Sequence, residues 1–289
     1  MSDQTLHTGL IGASIQSSRS PSMHMKESRA LGLDLVYTMY DFDLIEGGAA
    51  ALPKILNQVR DNGYLGVNIT FPVKQTVMSL LDGYSDDVTA LGACNTVVFK
   101  DGKSTGHNTD WFGFAENFRR GLPGASLDHV VQLGAGGAGS AVTYALLKLG
   151  AKRIVIHELE AERAKAFVKR FNDLAGTEKV FLSQGLEQDV KGATGVVNCT
   201  PVGMLKLPGM PLPEELLRPD LWIADVVYVP LNTELLVRAR AKGCRTLAGG
   251  GMAVFQAGEA IRLFTGKTPD FDRMLRQFQS DIEAEQKPA

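Results

Sequence analysis

A strand that runs directly into three spaced glycines leaves a chain few ways to fold, and "VVQLGAGGAGSAV", residues 130–142, is such a junction. An apolar run meets Gly134, Gly136 and Gly139 at G-x-G-x-x-G spacing, and small residues then open a helix through "TYALLKLG". The first glycine suits a tight turn, the second lets a pyrophosphate approach the backbone, and the third allows helix and strand to pack closely. With Ala135, Gly137 and Ala138 keeping the loop small, a dinucleotide phosphate would meet N–H groups at the helix N-terminus. Ordinary βα turns use the same spacing, so a second feature matters. The next strand, "RIVIH", leads to Glu158, about where a carboxylate accepts hydrogen bonds from the adenosine ribose of NAD and repels the 2′-phosphate of NADP. Glu158 also fits a place just ahead of the helix "EAERAKAFVKRF", and Arg163 lies within reach of a phosphate. The expected cofactor is NAD rather than NADP.

Elsewhere short β-rich runs alternate with helical patterns, the rhythm of an α/β protein. "HTGLIG", "LVYTMYDF", "GVNIT" and "NTVVF" read as strands of a first domain, with helices beginning near Pro21, Glu46 and Pro72. "HVVQL", "RIVIH", "KVFL", "GVVNC" and "LWIADVV" read as the parallel strands of a doubly wound second one. At 289 residues two domains are expected. The boundaries read as a substrate-binding, catalytic domain over 1–110, a Rossmann-type NAD domain over 111–248, and C-terminal helices over 249–289 returning to the first domain.

Charge and cysteine usage narrow the partners. A net charge of −2 with both signs interspersed offers no basic stripe for nucleic acid. Cys94, Cys199 and Cys244 are far apart, without C-x-x-C or histidines at ligand spacing, so neither a disulfide framework nor a metal site is expected. "MSDQTLHTGL" has no basic leader, and no apolar run has the length of a membrane span. The expectation is a cytoplasmic protein, monomer or homodimer, acting on a small molecule.

A dinucleotide site does not name the substrate; polar residues of the first domain bear on that. Lys74 in "NITFPVKQTVMSLL" follows Pro72, which reads as the first residue of a helix, and so faces the positive end of the helix dipole. That is a poor place for a purely decorative charge, although an exposed lysine is ordinary. Asp110 reads as the N-cap of the helix ending at Gly121, or as the partner of a cation. Ser20 before Pro21 is a natural N-cap. The cap leaves Ser18 unexplained, and two hydroxyls beside a helix N-terminus suit a carboxylate.

The ordered set "SSRSPSMH", "NITFPVK", "GACNTV", "GHNTDWFGF", "GAGGAG", "VVNCTPVGM", "DVVYVPLNTELL" and "GGGMAVFQAGEAIRLFTG" resembles the shikimate/quinate dehydrogenase family, from the first strand to about residue 266. The resemblance implies a two-domain oxidoreductase in which Ser18 and Ser20 bind a ring carboxylate, Thr70, Asn95 and Gln256 contact ring hydroxyls, and Tyr228 lies close to the substrate. It implies Lys74 and Asp110 as the proton-transfer pair. Beyond the glycine loop and Glu158 it places Thr200, Val202, Met204, Val226, Gly249 and Met252 at the cofactor. Two departures stand out. Met25 takes the place of an asparagine found in many relatives. "HELEAER" lacks the basic residues that NADP-using biosynthetic members carry, which points to NAD-linked quinate or shikimate oxidation. A dehydrogenase for a related cyclic carboxylate such as aminoshikimate, or a non-catalytic NAD-binding regulator, are the alternatives; an intact Lys74 and Asp110 count against the second.

Overall fold

The computed structural model describes residues 5–286. It divides into two compact units, one running to Thr109 and resuming at Val254, the other spanning Asp110–Ala253.

The first unit contains β1 (Leu6–Gly12), α1 (Ser20–Ala30), β2 (Leu35–Asp41), α2 (Leu52–Asp61), β3 (Gly66–Ile69), β4 (Gly83–Tyr84), α3 (Asp86–Leu91), β5 (Thr96–Lys100) and β6 (Lys103–His107). These build a six-stranded mixed sheet in the order β2-β1-β3-β5-β6-β4. β1 lies between β2 and β3, parallel to both, while β5 runs antiparallel to β3 and β6. Alternate residues of β1 serve two cores. Leu10 joins Leu35 and Tyr37 on one face, and Ile11 joins Val67, Ile69 and Val97 on the other. Burial on both faces is why this strand reads as a nearly continuous apolar run.

The second unit opens with α4 (Asp110–Gly121) and continues through β7 (Val130–Leu133), α5 (Gly137–Lys148), β8 (Ile154–His157), α6 (Ala161–Ala175), β9 (Val180–Leu182) and α7 (Leu186–Lys191). β10 (Gly195–Asn198), β11 (Trp222–Asp225), α8 (Glu234–Ala241) and β12 (Arg245–Leu247) complete it. Its six strands are all parallel, in the order β12-β11-β10-β7-β8-β9. The chain winds outward from β7 in one direction and from β10 in the other, so the strand order reverses between these neighbours. A doubly wound sheet opens its ligand crevice at the carboxyl ends of the strands at such a reversal. α9 (Gly250–Thr265) begins in this unit and ends in the first, where α10 (Phe271–Gln286) also lies.

Three sequence expectations shift. The helix expected near Glu46 begins as a 3₁₀ turn at Gly48, with α2 following from Leu52. No α-helix starts at Pro72: residues 70–75 form turns and only a short 3₁₀ helix, Thr76–Leu80, follows. The strands β4, β6 and β12 carry too few apolar residues in a row to be read from pattern alone; β6 is "KSTGH" and β12 "RTL". All three cysteines are buried free thiols. Burial pushes Cys94 up to about 12 and Cys199 upward in the same way, so neither is an ionised nucleophile at neutral pH. Among the described residues no helix is long and apolar enough to cross a membrane, and no cluster of histidine, cysteine and carboxylate side chains is set to hold a metal.

Candidate active site

In the first unit, Asp41 at the end of β2 fixes the approach to Ser18. Its carboxylate accepts from the Ser14 N–H at 3.0 Å, the Ile15 N–H at 3.2 Å and Gln16 Nε2 at 2.9 Å. These bonds, that of Gln16 foremost, hold the carboxyl below its ordinary value. The chain then turns, the Ser18 N–H donating to the Ile15 carbonyl at 2.8 Å. Ser18 Oγ accepts from the Ser20 N–H at 3.2 Å. The expectation that Ser20 is the N-cap of α1 is thereby corrected. Ser20 already stands in the helix, Arg19 occupies the cap position without a side-chain cap bond, and the Met23 N–H closes the first turn onto the Arg19 carbonyl. Ser18 does the local work because its hydroxyl faces an amide two residues on. Both hydroxyls are half-buried.

Thr70 leaves β3 with its N–H on the Ile11 carbonyl at 3.0 Å, and Val73 N–H returns to the Thr70 carbonyl at 3.1 Å. Lys74 follows, half-buried. With no α-helix starting at Pro72, the dipole argument for Lys74 lapses. What places this residue is its carbonyl, which accepts the Cys94 N–H at 2.8 Å and so ties Lys74 to the segment that carries Asn95.

Asn95 is 3% exposed and held on several sides. Its Oδ1 accepts the Thr109 N–H at 2.7 Å and the Thr96 hydroxyl at 3.0 Å, while its Nδ2 donates to Thr109 Oγ1 at 3.0 Å. Thr109 Oγ1 in turn lies 3.3 Å from Gln256 Oε1. Two of the three residues expected at ring hydroxyls are therefore joined through Thr109, which sequence reasoning passed over. So were Thr96 and Asn68, although all three stand inside the motifs "GHNTDW", "GACNTV" and "NITFPVK".

In the second unit, Asp110 is the first residue of α4 and lies inside its first turn rather than at the cap. α4 packs on α5, with Trp111 edge-on to Tyr144 at 5.3 Å between ring centroids. The glycine loop lies between β7 and α5. Gly134 has φ +93°, a conformation that disfavours any side chain, and a Cβ at Gly139 would stand 2.5 Å from the Gly134 carbonyl oxygen. A Cβ on Gly136 or Gly137 would meet nothing within 4 Å. The first and third glycines thus answer to backbone and packing, and the middle of the loop is open. Gly137 and Ala138 are exposed and Ala135 buried, and α5 opens without a side-chain cap. An open, uncapped helix start fits an anionic group. Gln132, inside β7, braces the loop by donating to the carbonyls of Gly134 at 2.9 Å and Gly139 at 3.1 Å.

Glu158, directly after β8, turns to this loop. Its Oε2 accepts the Ala135 N–H at 3.0 Å, and its Oε1 accepts the Glu160 N–H at 3.1 Å and Arg163 Nη2 at 3.0 Å. Burial pushes this carboxyl up, but the two amides and the guanidinium outweigh it and hold the group ionised below its ordinary value.

The segment after β10 is fixed by Asn198. Its Oδ1 accepts the Thr200 N–H and hydroxyl, and its Nδ2 donates to the Val202 carbonyl and to Asp225 Oδ1. The buried Asp225 also accepts Thr233 Oγ1 at 2.7 Å. Thr200 borders the glycine loop, since a Cβ at Gly134 would stand 3.0 Å from its methyl. Met204 is 42% and Tyr228 39% exposed. Gly249 presses on the Val226 carbonyl, and Met252 is half-buried in α9.

Known proteins resemble this chain over most of its length. Residues 10–97 match the shikimate dehydrogenase substrate binding domain. A Streptomyces avermitilis protein named shikimate dehydrogenase (NADP(+)) is 50% identical over 277 residues, covering 95% of each chain. A Corynebacterium efficiens protein named quinate/shikimate dehydrogenase (NAD(+)) is 44% identical over 97% of this chain and 100% of its own. Among solved structures, quinate dehydrogenase from Corynebacterium glutamicum in complex with NAD superimposes with a TM-score of 0.92 at 44% identity, over 96% of this chain and 99% of that one.

Proposed function

We propose that this chain, which belongs to the shikimate/quinate dehydrogenase family, is the NAD-linked kind of that oxidoreductase, with Lys74 and Asp110 as its proton-transfer pair. Family membership establishes a pyridine-nucleotide enzyme acting on shikimate or quinate; the relatives' names divide between NADP and NAD. The observation that carries the preference for NAD is Glu158. Its carboxylate stands at the end of β8, bonded to the Ala135 N–H and paired with the guanidinium that a 2′-phosphate would otherwise attract. A ribose diol donates to such a group, whereas a phosphate meets an ionised neighbour and an engaged arginine.

When bound, the nicotinamide supplies a hydride acceptor; the remaining steps belong to the protein. Ser18 and Ser20 orient the acid through its carboxylate, and Thr70, Asn95 and Gln256 fix the ring hydroxyls. Lys74, as the free amine, takes the hydroxyl proton while hydride leaves the same carbon. Asp110 orients the lysine and balances the ammonium so formed. In the reverse direction the ammonium stabilises the oxyanion growing on the ketone and returns the proton. Initial rates followed by reduced-nicotinamide absorbance, with shikimate and quinate each offered NAD and NADP, test this. NAD is expected to show the larger kcat/KM with either acid; equal efficiency with NADP would remove the preference.

The serines make a separable prediction. Ser18→Ala is expected to raise KM for the acid and also to lower stability by about 1 kcal/mol, because the Ser20 N–H loses its acceptor. Ser20→Ala is expected to raise KM while leaving that turn intact. Melting curves and KM values for the two variants check the division, and an unchanged KM in both would place the substrate carboxylate elsewhere.

A further inference from the structure

The hydrogens around Asn95 run in one direction, and a single backbone amide sets it. An N–H can only donate, so the Asn95 atom 2.7 Å from the Thr109 N–H is its oxygen. Thr96 Oγ1, 3.0 Å from that oxygen, must therefore donate to it. A hydroxyl has one proton, so toward Asn68, 3.0 Å away, Thr96 accepts, and the Asn68 atom there is Nδ2. Asn68 Oδ1 then faces Tyr37, whose hydroxyl donates at 2.9 Å. Tyr37, Asn68, Asn95, Thr96 and Thr109 are all buried, so water does not compete for these bonds.

We infer that Thr96 and Thr109 are positioning residues that lock Asn95 as a one-way donor, letting it hold the substrate oxygen equally well as hydroxyl and as carbonyl. Both lone pairs of Asn95 Oδ1 are engaged, by the Thr109 amide and the Thr96 hydroxyl. The side chain would therefore meet a substrate through a proton of Nδ2, which also donates to Thr109 Oγ1 at 3.0 Å. A hydroxyl and a ketone both offer lone pairs, but only the hydroxyl offers a proton. A residue that donated to one and accepted from the other would have to turn over between the two directions of the reaction; Asn95 does not. The inference rests on the reading of Asn95 as a substrate contact and takes the ring oxygen it meets to be the one that is oxidised.

The test uses the whole enzyme. Thr96→Val keeps the shape and removes the hydroxyl, and is expected to raise KM roughly tenfold for the hydroxy acid and for its ketone alike, with Kd for NAD unchanged. Thr96→Ser should restore both KM values. Asn95→Asp exchanges the donating amide for an oxygen that donates only when protonated, so its kcat/KM relative to wild type is expected to rise as pH falls; a merely structural asparagine gives a flat ratio. Asn95→Ala separates the two levels. If it raises KM while Thr96→Val does not, the positioning role is wrong and the substrate contact stands. If neither raises KM, the substrate-contact reading fails and the inference goes with it. Should Thr96→Val not fold, a flat Asn95→Asp ratio still overturns the inference.

Discussion

Lys74→Ala is expected to lower kcat by about 10²–10⁴-fold while NAD binds as before, because a positioned acid or base contributes in that range and the substitution leaves the glycine loop untouched. Asp110→Asn keeps the shape and removes the charge, and should also be severe. Its effect would have a different origin: the lysine would stay but lose the group proposed to orient it. Residues acting as one unit are strongly non-additive, so the double variant should be scarcely worse than the worse single one. Kinetics of the three variants, with cofactor affinity measured by calorimetry, decide this. A Lys74→Ala enzyme retaining about half its kcat would mean that the proton leaves by another route. The prediction does not depend on the helix-dipole argument, which the absence of an α-helix at Pro72 has removed.

That lapse shows where sequence reading stops. Pro72 looks like a helix start because proline is favoured at the first helical position. What holds residues 70–75 instead is a set of non-local backbone bonds: the Thr70 N–H to Ile11, the Ala13 N–H to Phe71 and the Cys94 N–H to Lys74. A local propensity has no term for partners so distant. The same holds at Ser20, where capping statistics favour the serine next to proline but the chain path set by Asp41 gives the amide to Ser18. The glycine loop was legible because its constraints are local: a positive φ at Gly134 and a close approach at Gly139 admit little else. The residues proposed for catalysis and binding were nominated there too, through the family motifs. Their hydrogen-bond polarity was not. The direction of Asn95 depends on an amide 14 residues away, and no pattern in "GACNTV" reveals it.

Glu158 is where a second large effect is expected, and two substitutions divide its roles. The carboxylate both braces the glycine loop through the Ala135 N–H and presents a charge beside Arg163. Glu158→Ala removes both functions. NAD should lose a charge-assisted ribose contact, about 1.5–3 kcal/mol or roughly 10–100-fold in kcat/KM. NADP should gain, since a repulsive charge is gone and Arg163 keeps Glu160, at 3.1 Å, as its ionic partner among the described residues. Glu158→Gln separates the parts. Its amide oxygen still accepts the Ala135 N–H, so the loop stays braced and NAD use should fall less, while discrimination against NADP relaxes nearly as far as in the alanine variant. Arg163→Ala on the Glu158→Gln background should then return NADP to its wild-type level without affecting NAD, because only the phosphate needs the guanidinium. The ratio of kcat/KM for the two cofactors across the four proteins is the measurement. If Glu158→Gln kept the wild-type ratio and only the alanine variant changed it, the residue would matter through the loop alone, and the basis of cofactor choice would lie elsewhere in the second unit.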